Sequence, residues 1–131
     1  MAKDESMILD TCAFLWLAAG SKKLGRKTLK EINEAPAVYV SAISAFEIAI
    51  RTARGKLRLP RPAREWFDKV VECHSLTILP LDADVCIDAA QLPPIHDDPC
   101  DRFIIATAKR NDLVVVTADE RFAKYGVAVV S

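Results

Sequence analysis

Four acidic residues are candidates for a chemical role, namely Asp10, Glu47, Asp101 and Asp119. Two of them interrupt segments that are otherwise apolar. Asp10 is the one charged residue in the stretch 7–21, and Glu47 is the one charged residue in the stretch 38–50. The helix predicted around Glu47 carries isoleucines four residues before and three residues after it, on the same face as the carboxylate. Burying an ionised carboxylate without a partner is costly, so both positions need a specific reason.

The other two acids, Asp101 and Asp119, are predicted to lie at the ends of secondary-structure elements. Asp101 falls in the first turn of a helix expected over 98–110, and Asp119 follows the apolar strand 113–116. In a parallel α/β sheet, sites form outside the carboxyl ends of the strands, where helices also begin. We therefore expect these two carboxylates to meet Asp10 at that edge, with Glu47 leaning towards it from the body of its helix.

A cluster of four carboxylates is best explained by a hard divalent cation. Like charges raise one another's pKa, whereas Mg²⁺ or Mn²⁺ favours oxygen ligands and can activate water against a phosphodiester. Each acid also has a simpler explanation that stays open. Asp10 and Asp119 could cap helices, Asp101 could favour a helix dipole, and Glu47 could pair with Arg51.

The elements that must position these residues alternate between strands and helices. Continuous apolar runs predict strands over 7–10, 38–40, 76–79, 113–116 and 127–130, and helices are predicted over 11–19, 25–34, 41–54, 64–73, 84–91 and 98–110, with a turn or short helix at 122–126. Such runs are typical of buried parallel strands. The predicted fold is an α/β, three-layer α/β/α sandwich with a central, mostly parallel sheet of about five strands. A single domain is expected over 7–131, preceded by an N-terminal extension, 1–6.

The composition limits the remaining function classes. The chain has 131 residues and a formal net charge of zero, so its overall charge does not indicate a nucleic-acid partner. No apolar run is long enough to span a bilayer and the N-terminus does not resemble a signal peptide, which predicts a cytoplasmic protein. The four cysteines form no CxxC pair and are expected to be small buried thiols.

An ordered set of short motifs resembles a known family. The motifs are Leu9-Asp10-Thr11, Ser41-Ala-Ile-Ser-Ala-Phe-Glu47, Lys56-Leu-Arg-Leu-Pro60, Leu79-Pro-Leu-Asp82, Leu92-Pro-Pro-Ile-His96, Asp98-Pro-Cys-Asp101-Arg-Phe-Ile-Ile-Ala-Thr-Ala108, Thr117-Ala-Asp119 and Tyr125-Gly-Val. Together they resemble the PIN domain, and specifically the VapC-type toxins of bacterial type II toxin–antitoxin modules. The resemblance runs from Met7 to the end of the chain.

This resemblance implies a bacterial Mg²⁺- or Mn²⁺-dependent endoribonuclease, a hydrolase that cleaves RNA phosphodiester bonds with metal-activated water. It assigns Asp10 and Asp101 as the main metal ligands, with Glu47 and Asp119 as further or water-mediated ligands. Thr11 and Thr117 match supporting hydroxyl positions. Asp98 stays open as a residue that replaces or assists Asp101, although Asp98 is expected to cap the helix before Pro99. The family also implies a small antitoxin partner and a homodimer.

RNA requires positive charge near the site. Arg102, beside Asp101, is the best single candidate for a phosphate contact, and the other candidates are Arg51, Arg54, Lys56 and Arg58. His96 is interpreted as a loop residue rather than a general base. Two alternative functions stay open, namely a catalytically inactive PIN-like binding module and a receiver-like phosphoacceptor domain. A receiver would need paired acids at the first strand, which this chain lacks.

Overall fold

The structure, a computed structural model, describes residues 5–131 and alternates strands with helices. The strands are β1 (Met7–Leu9), β2 (Val38–Ser41), β3 (Thr77–Leu79), β4 (Val114–Val116) and β5 (Val129–Val130). The helices are α1 (Thr11–Ala19), α2 (Arg26–Glu34), α3 (Ala42–Ala53), α4 (Ala63–Cys73), α5 (Ala83–Gln91) and α6 (Pro99–Asn111), and a short 3-10 helix (Phe122–Tyr125) precedes β5.

The five strands form one parallel sheet in the order β3-β2-β1-β4-β5. The fold predicted from the sequence is thereby confirmed. Leu9, the last residue of β1, is level with Val40 of β2 and Val116 of β4. The chain leaves β1 towards β2 and β3 on one side and returns to β4 and β5 on the other. The carboxyl ends of β1 and β4 therefore flank the point where the strand order reverses, which is where open α/β sheets bind ligands.

Side chains of β1 alternate between two apolar clusters, one on each face of the sheet. Met7 and Leu9 pack with Phe14 of α1 and Phe67 of α4, while Ile8 packs in the other cluster with residues of α6 and the 3-10 helix. All three β1 side chains are fully buried. Burial on both faces explains why this strand is continuously apolar rather than alternating, as the sequence indicates.

Helix α3 contacts α1, α4 and α6, and it supplies residues to both apolar clusters. Ile48 belongs to the cluster beside α1, and Ile43 belongs to the cluster beside α6. Because α3 contacts helices from both clusters, a side chain from the middle of this helix can reach the region where α1 and α6 begin. This placement is what makes Glu47 available to the site.

The structure describes the predicted N-terminal extension only from residue 5 onwards, and the cysteines differ from the expectation. Residues 1–4 of the predicted N-terminal extension lie outside the described residues, and the Ser6 carbonyl accepts a 3.0 Å hydrogen bond from the Val114 N–H. The prediction that the cysteines are buried is wrong, because Cys12, Cys73 and Cys86 are exposed and Cys100 is half-buried. Each cysteine lies on a helix and faces at least partly outward, and its apolar neighbours in the sequence do not show this orientation.

Within residues 5–131, no helix combines the length and apolar character needed to cross a membrane.

Candidate metal centre

Asp10 directly follows β1, and its side chain caps α1. Its Oδ1 accepts a 2.7 Å hydrogen bond from the Ala13 N–H, and its Oδ2 accepts a 2.6 Å hydrogen bond from the Thr117 hydroxyl. Burial raises the pKa of Asp10, the two hydrogen bonds lower it, and the charges of Asp119 and Glu47 raise it again. Asp10 therefore serves as a helix cap and is also a buried carboxylate under electrostatic repulsion.

Thr117 follows β4 and connects the first strand to the last acid. Its hydroxyl oxygen donates to Asp10 and accepts a 3.0 Å hydrogen bond from the Asp119 N–H. Parallel pairing of β1 with β4 places the ends of both strands side by side, which explains this contact across the sequence. The second predicted hydroxyl, Thr11, instead forms a buried 2.9 Å hydrogen bond with Ser44 of α3. Thr11 thus joins α1 to α3 behind the site.

Glu47 reaches the site from the second turn of α3, a helix capped by the Ser41 hydroxyl. Its Oε2 lies 4.0 Å from Nη1 of Arg51, at the outer limit of an ion pair. Its Oε1 is buried and has no hydrogen-bond partner among residues 5–131. A buried carboxylate oxygen without a partner is energetically costly, which indicates that a group outside residues 5–131 completes this position.

Asp98 and Asp101 divide the two roles that the sequence left open between them. Asp98 is the N-cap of α6, because its Oδ1 accepts hydrogen bonds from the N–H groups of Cys100 at 2.8 Å and Asp101 at 3.4 Å. Asp101 makes no such cap and is more buried than Asp98. Burial, followed by the charge of Asp98 and those of the other three predicted acids, raises the pKa of Asp101 to about 7. This result favours Asp101 as the ligand of the pair.

Among the described residues, Asp119 is the one acid of the four that has a cationic partner at hydrogen-bond distance. Nε and Nη2 of Arg121 donate to its two carboxylate oxygens at 3.0 and 2.8 Å, and the Arg121 N–H donates at 2.9 Å. These bonds, with a hydrogen bond from His96, hold the pKa of Asp119 well below its usual range despite partial burial. A carboxylate engaged by a guanidinium fork is less available to a metal ion.

Known proteins are similar to this chain over nearly its whole length. A model of the PIN domain matches residues 7–128. The chain belongs to the PIN domain family. It is 30% identical over 121 residues to Ribonuclease VapC22 of Mycobacterium tuberculosis, and the match covers 92% of each chain. The resemblance to VapC-type proteins drawn from the motifs is thereby confirmed.

Two solved structures show the same fold at low sequence identity. One is VapBC2 from Rickettsia felis bound to a DNA fragment from their promoter, with a TM-score of 0.71, 13% identity, and coverage of 95% of this chain and 97% of that chain. The other is a toxin–antitoxin complex from Klebsiella pneumoniae, with a TM-score of 0.65, 18% identity, and coverage of 95% and 96%. These likenesses extend the PIN fold assignment over almost the whole chain.

The donor set of this PIN domain fits a hard divalent cation. Asp10, Glu47, Asp101 and Asp119 offer carboxylate oxygens, and three of the four acids raise the pKa of Asp10 or Asp101 through their charges. The buried Glu47 Oε1 adds an oxygen ligand that no residue within 5–131 engages. Oxygen donors of this kind suit Mg²⁺ and Mn²⁺.

Arg102 is a correction to the predicted RNA-binding residues. Its guanidinium has five N–H groups, and six acceptors of the protein share them, so none is left for a phosphate. The acceptors are the carbonyls of Ala89, Ala90, Leu92, Pro93 and His96 and the hydroxyl of Tyr125. The side chain therefore fixes the loop between α5 and α6. The prediction fails because several main-chain carbonyls converge on the Arg102 guanidinium, and the sequence does not show this convergence.

The other basic candidates surround the end of α3. Arg51 is half-buried and lies beside Glu47, whereas Arg54, Lys56 and Arg58 are exposed. Their contact with RNA stays a prediction. The sequence reasoning did not select Arg121, although it stands two residues after Asp119 and its side chain is 51% exposed. Its proximity to an assigned acid was the available signal.

His96 is the second residue whose contacts the sequence reasoning missed. Its side chain is 2% exposed, and its Nε2 lies 3.0 Å from Oδ2 of both Asp101 and Asp119. His96 lies in the loop between α5 and α6, as expected, but its burial and its contacts with the two acids were not predicted. His96, Asp101 and Asp119 place one potential metal-ligating atom each within 4.8 Å of one another. The signal in the sequence was a histidine held after two prolines, five residues before a predicted ligand.

Proposed function

We propose that this PIN domain is a Mg²⁺- or Mn²⁺-dependent endoribonuclease and the toxin of a bacterial toxin–antitoxin pair. The observation that carries the proposal is the gathering of four carboxylates at one sheet edge, with a buried Glu47 oxygen that no residue in 5–131 satisfies. Mutual repulsion of this kind destabilises the metal-free protein, and it is retained where a cation is needed for function.

Asp10, Asp101 and Glu47 would hold the cation, and Asp119 would join them or hold a coordinated water. When bound, the cation supplies a Lewis acid that activates water and stabilises charge on a phosphodiester. Thr117 orients the Asp10 carboxylate, and the cap formed by Asp98 places Asp101 at the start of α6. We propose Arg121 in place of Arg102 as the guanidinium that meets a substrate phosphate, because it is exposed beside the acids.

RNA as substrate and an antitoxin as partner are supported by the relatives. The name of Ribonuclease VapC22 states the activity of that protein, and the Klebsiella pneumoniae structure is described as a toxin–antitoxin complex. We extend both properties to this chain, together with a homodimer and a cytoplasmic location. The family assignment leaves no support for a receiver-like phosphoacceptor. The experiment below distinguishes an active ribonuclease from an inactive PIN-like binding module.

The test compares RNA cleavage by the wild type, Asp10→Asn and Asp84→Asn. Asn at position 10 keeps an acceptor for the Ala13 N–H and offers an amide to the Thr117 hydroxyl, so the fold should persist. Asp84 is exposed on α5 beside Arg110, which makes its substitution a matched charge control. With total RNA and Mg²⁺, discrete fragments are expected from the wild type and Asp84→Asn, and none with chelator or with Asp10→Asn.

Two outcomes would contradict the proposal. Full cleavage by a folded Asp10→Asn would remove the assigned site, and RNA binding without cleavage by the wild type would identify an inactive binding module. The antitoxin is tested separately by co-expression with any small reading frame adjacent to this gene. Co-purification and loss of RNA cleavage are expected, and light scattering of the free chain measures whether it is a dimer.

A further inference from the structure

His96 is the buried polar group of the site that the proposed function does not use. Its ring stands edge-on to Phe122, with a centroid distance of 5.9 Å and an interplanar angle of 83°. Its main-chain N–H donates a 2.7 Å hydrogen bond to the Tyr125 hydroxyl, which in turn donates to the Pro93 carbonyl at 2.8 Å. Arg102 also donates to the His96 carbonyl at 3.2 Å. The position of the imidazole is therefore fixed from both its ring and its backbone.

The hydrogen bonds of the ring determine which nitrogen carries the proton. The Asp98 N–H donates a 3.2 Å hydrogen bond to Nδ1, so Nδ1 presents a lone pair. An imidazole that accepts at Nδ1 carries its hydrogen at Nε2. That N–H donates to Oδ2 of Asp119 at 3.0 Å, and Oδ2 of Asp101 lies equally close at 3.0 Å.

A metal-ligand role for His96 conflicts with this arrangement. Ligation through Nε2 requires a lone pair on that nitrogen, so the proton would have to move to Nδ1. Nδ1 could then no longer accept from the Asp98 N–H, which would lose its partner at the start of α6. A donor role for Nε2–H leaves every hydrogen bond of the ring intact. Histidines and carboxylates of this kind orient the ligands of metal sites from the outside.

We propose that His96 is a positioning residue, whose Nε2–H holds Asp119 and Asp101 side by side so that both carboxylates face one cation, and that His96 itself does not ligate that cation. The inference rests on the proposed function for the existence of the cation site. The inference goes beyond the proposed function because it gives His96, which is not one of the four acids, the role of setting the spacing between Asp101 and Asp119.

The first test measures Mn²⁺ binding by calorimetry, without RNA, for the wild type, His96→Gln and His96→Leu. The Gln amide extends to about the position of Nε2 and can donate, whereas Leu has comparable bulk and no donor. Loss of an orienting group outside a metal site typically weakens metal binding by about 10–100-fold. We expect His96→Leu to lose at least about tenfold in affinity and His96→Gln to stay within about threefold of the wild type. Equal and large losses in both variants would overturn the proposal.

The second test observes the tautomer directly and does not depend on the His96 variants folding. The chain has two histidines, so His74→Gln leaves His96 as the single imidazole for long-range ¹H–¹⁵N NMR. The expected result is a proton on Nε2 both without metal and with saturating Mg²⁺. A proton on Nδ1, or ¹⁴N coupling to bound Mn²⁺ in electron spin resonance, would show that His96 is a ligand and overturn the proposal.

These readouts separate the inference from the proposed ribonuclease. If RNA is not cleaved but Mn²⁺ binding responds to His96→Leu and not to His96→Gln, the positioning role stands and the ribonuclease proposal fails. If RNA is cleaved and both variants bind Mn²⁺ as the wild type does, the ribonuclease proposal stands and the positioning role fails. A wild type that binds no Mn²⁺ would contradict both.

Discussion

The Thr117 hydroxyl donates a 2.6 Å hydrogen bond to Oδ2 of Asp10, which lies 107 positions earlier in the chain. The Thr117 hydroxyl oxygen also accepts a hydrogen bond from the Asp119 N–H. One side chain thus fixes a carboxylate after β1 and the main chain after β4. The bond also lowers the pKa of Asp10, against the effect of burial, and so favours the charged form that a cation requires.

Replacing Thr117 with Val should weaken both the fold and the site. Val keeps the shape but removes the donor to Asp10, and hydrogen bonds to charged groups contribute on the order of 1.5–3 kcal/mol. We expect a loss of about that size in the free energy of unfolding, measured with urea, together with weaker Mn²⁺ binding. Thr117→Ser keeps the hydroxyl and should restore metal binding. A Val variant that matches the wild type in both measurements would contradict the role assigned to this bond.

The Asp101 carboxyl should make the metal-free protein less stable as the pH rises. Its pKa in the folded protein, about 7, lies above the ordinary value of 3.8, so the folded state holds this proton to a higher pH than the unfolded state. Stability from this group is therefore present below about pH 4 and is lost between about pH 4 and 7. Asp101→Asn should be more stable than the wild type at pH 8 without metal, by on the order of 1–3 kcal/mol.

Divalent metal should reverse this order. Mn²⁺ stabilises the wild type by binding the folded state, whereas Asp101→Asn lacks a main ligand and should gain little. Thermal unfolding at pH 5 and pH 8, with and without Mn²⁺, measures both effects, with Asp84→Asn as the exposed control. A wild type whose metal-free stability rises from pH 5 to 8 relative to Asp101→Asn would show that the carboxyl is not repelled as the structure indicates.

Arg102 should be essential for stability although it lies next to a predicted ligand. Its guanidinium satisfies carbonyls of the α5–α6 loop, including Leu92 at 2.7 Å and Pro93 at 3.0 Å. Arg102→Lys cannot reproduce a planar set of donors, so several carbonyls lose their partner. We expect a loss on the order of 3 kcal/mol or more in the free energy of unfolding. Arg110→Lys, at an exposed ion pair with Asp88, should change stability little.

Arg121 should compete with metal at Asp119. In Arg121→Gln the Asp119 carboxylate loses the guanidinium that lowers its pKa, so that pKa should rise towards its ordinary value. Mn²⁺ affinity should increase a few-fold because a competing cation has been removed. The KM for RNA should also increase, because Arg121 is proposed to contact phosphate. Arg110→Gln removes the same charge at the other end of α6 from Asp101 and serves as the control. Weaker Mn²⁺ binding in Arg121→Gln would contradict the competition.

The sequence by itself determined the order of the elements and the acids at their ends. Continuous apolar strands have a simple physical cause, burial on both faces of a parallel sheet, and β1 and β4 follow it. The cap of α6 was also readable, since Asp98 followed by Pro99 is a local signal. Such features depend on residues a few positions apart, and the motifs that place the chain in the PIN family are local in the same way.

The tertiary structure alone decided how the remaining polar groups are used. His96 meets Asp119 across 23 positions, and Thr117 meets Asp10 across 107. Arg102 was predicted to bind phosphate because it is next to Asp101 in the sequence. In the structure its N–H groups donate instead to the loop carbonyls that surround it. Whether a charged or polar side chain is free depends on which partners the folded chain brings within about 3 Å. Apolar periodicity carries no record of those distances. The family resemblance already pointed to the Thr117 hydroxyl, but the partners of His96 and Arg102 could not be predicted.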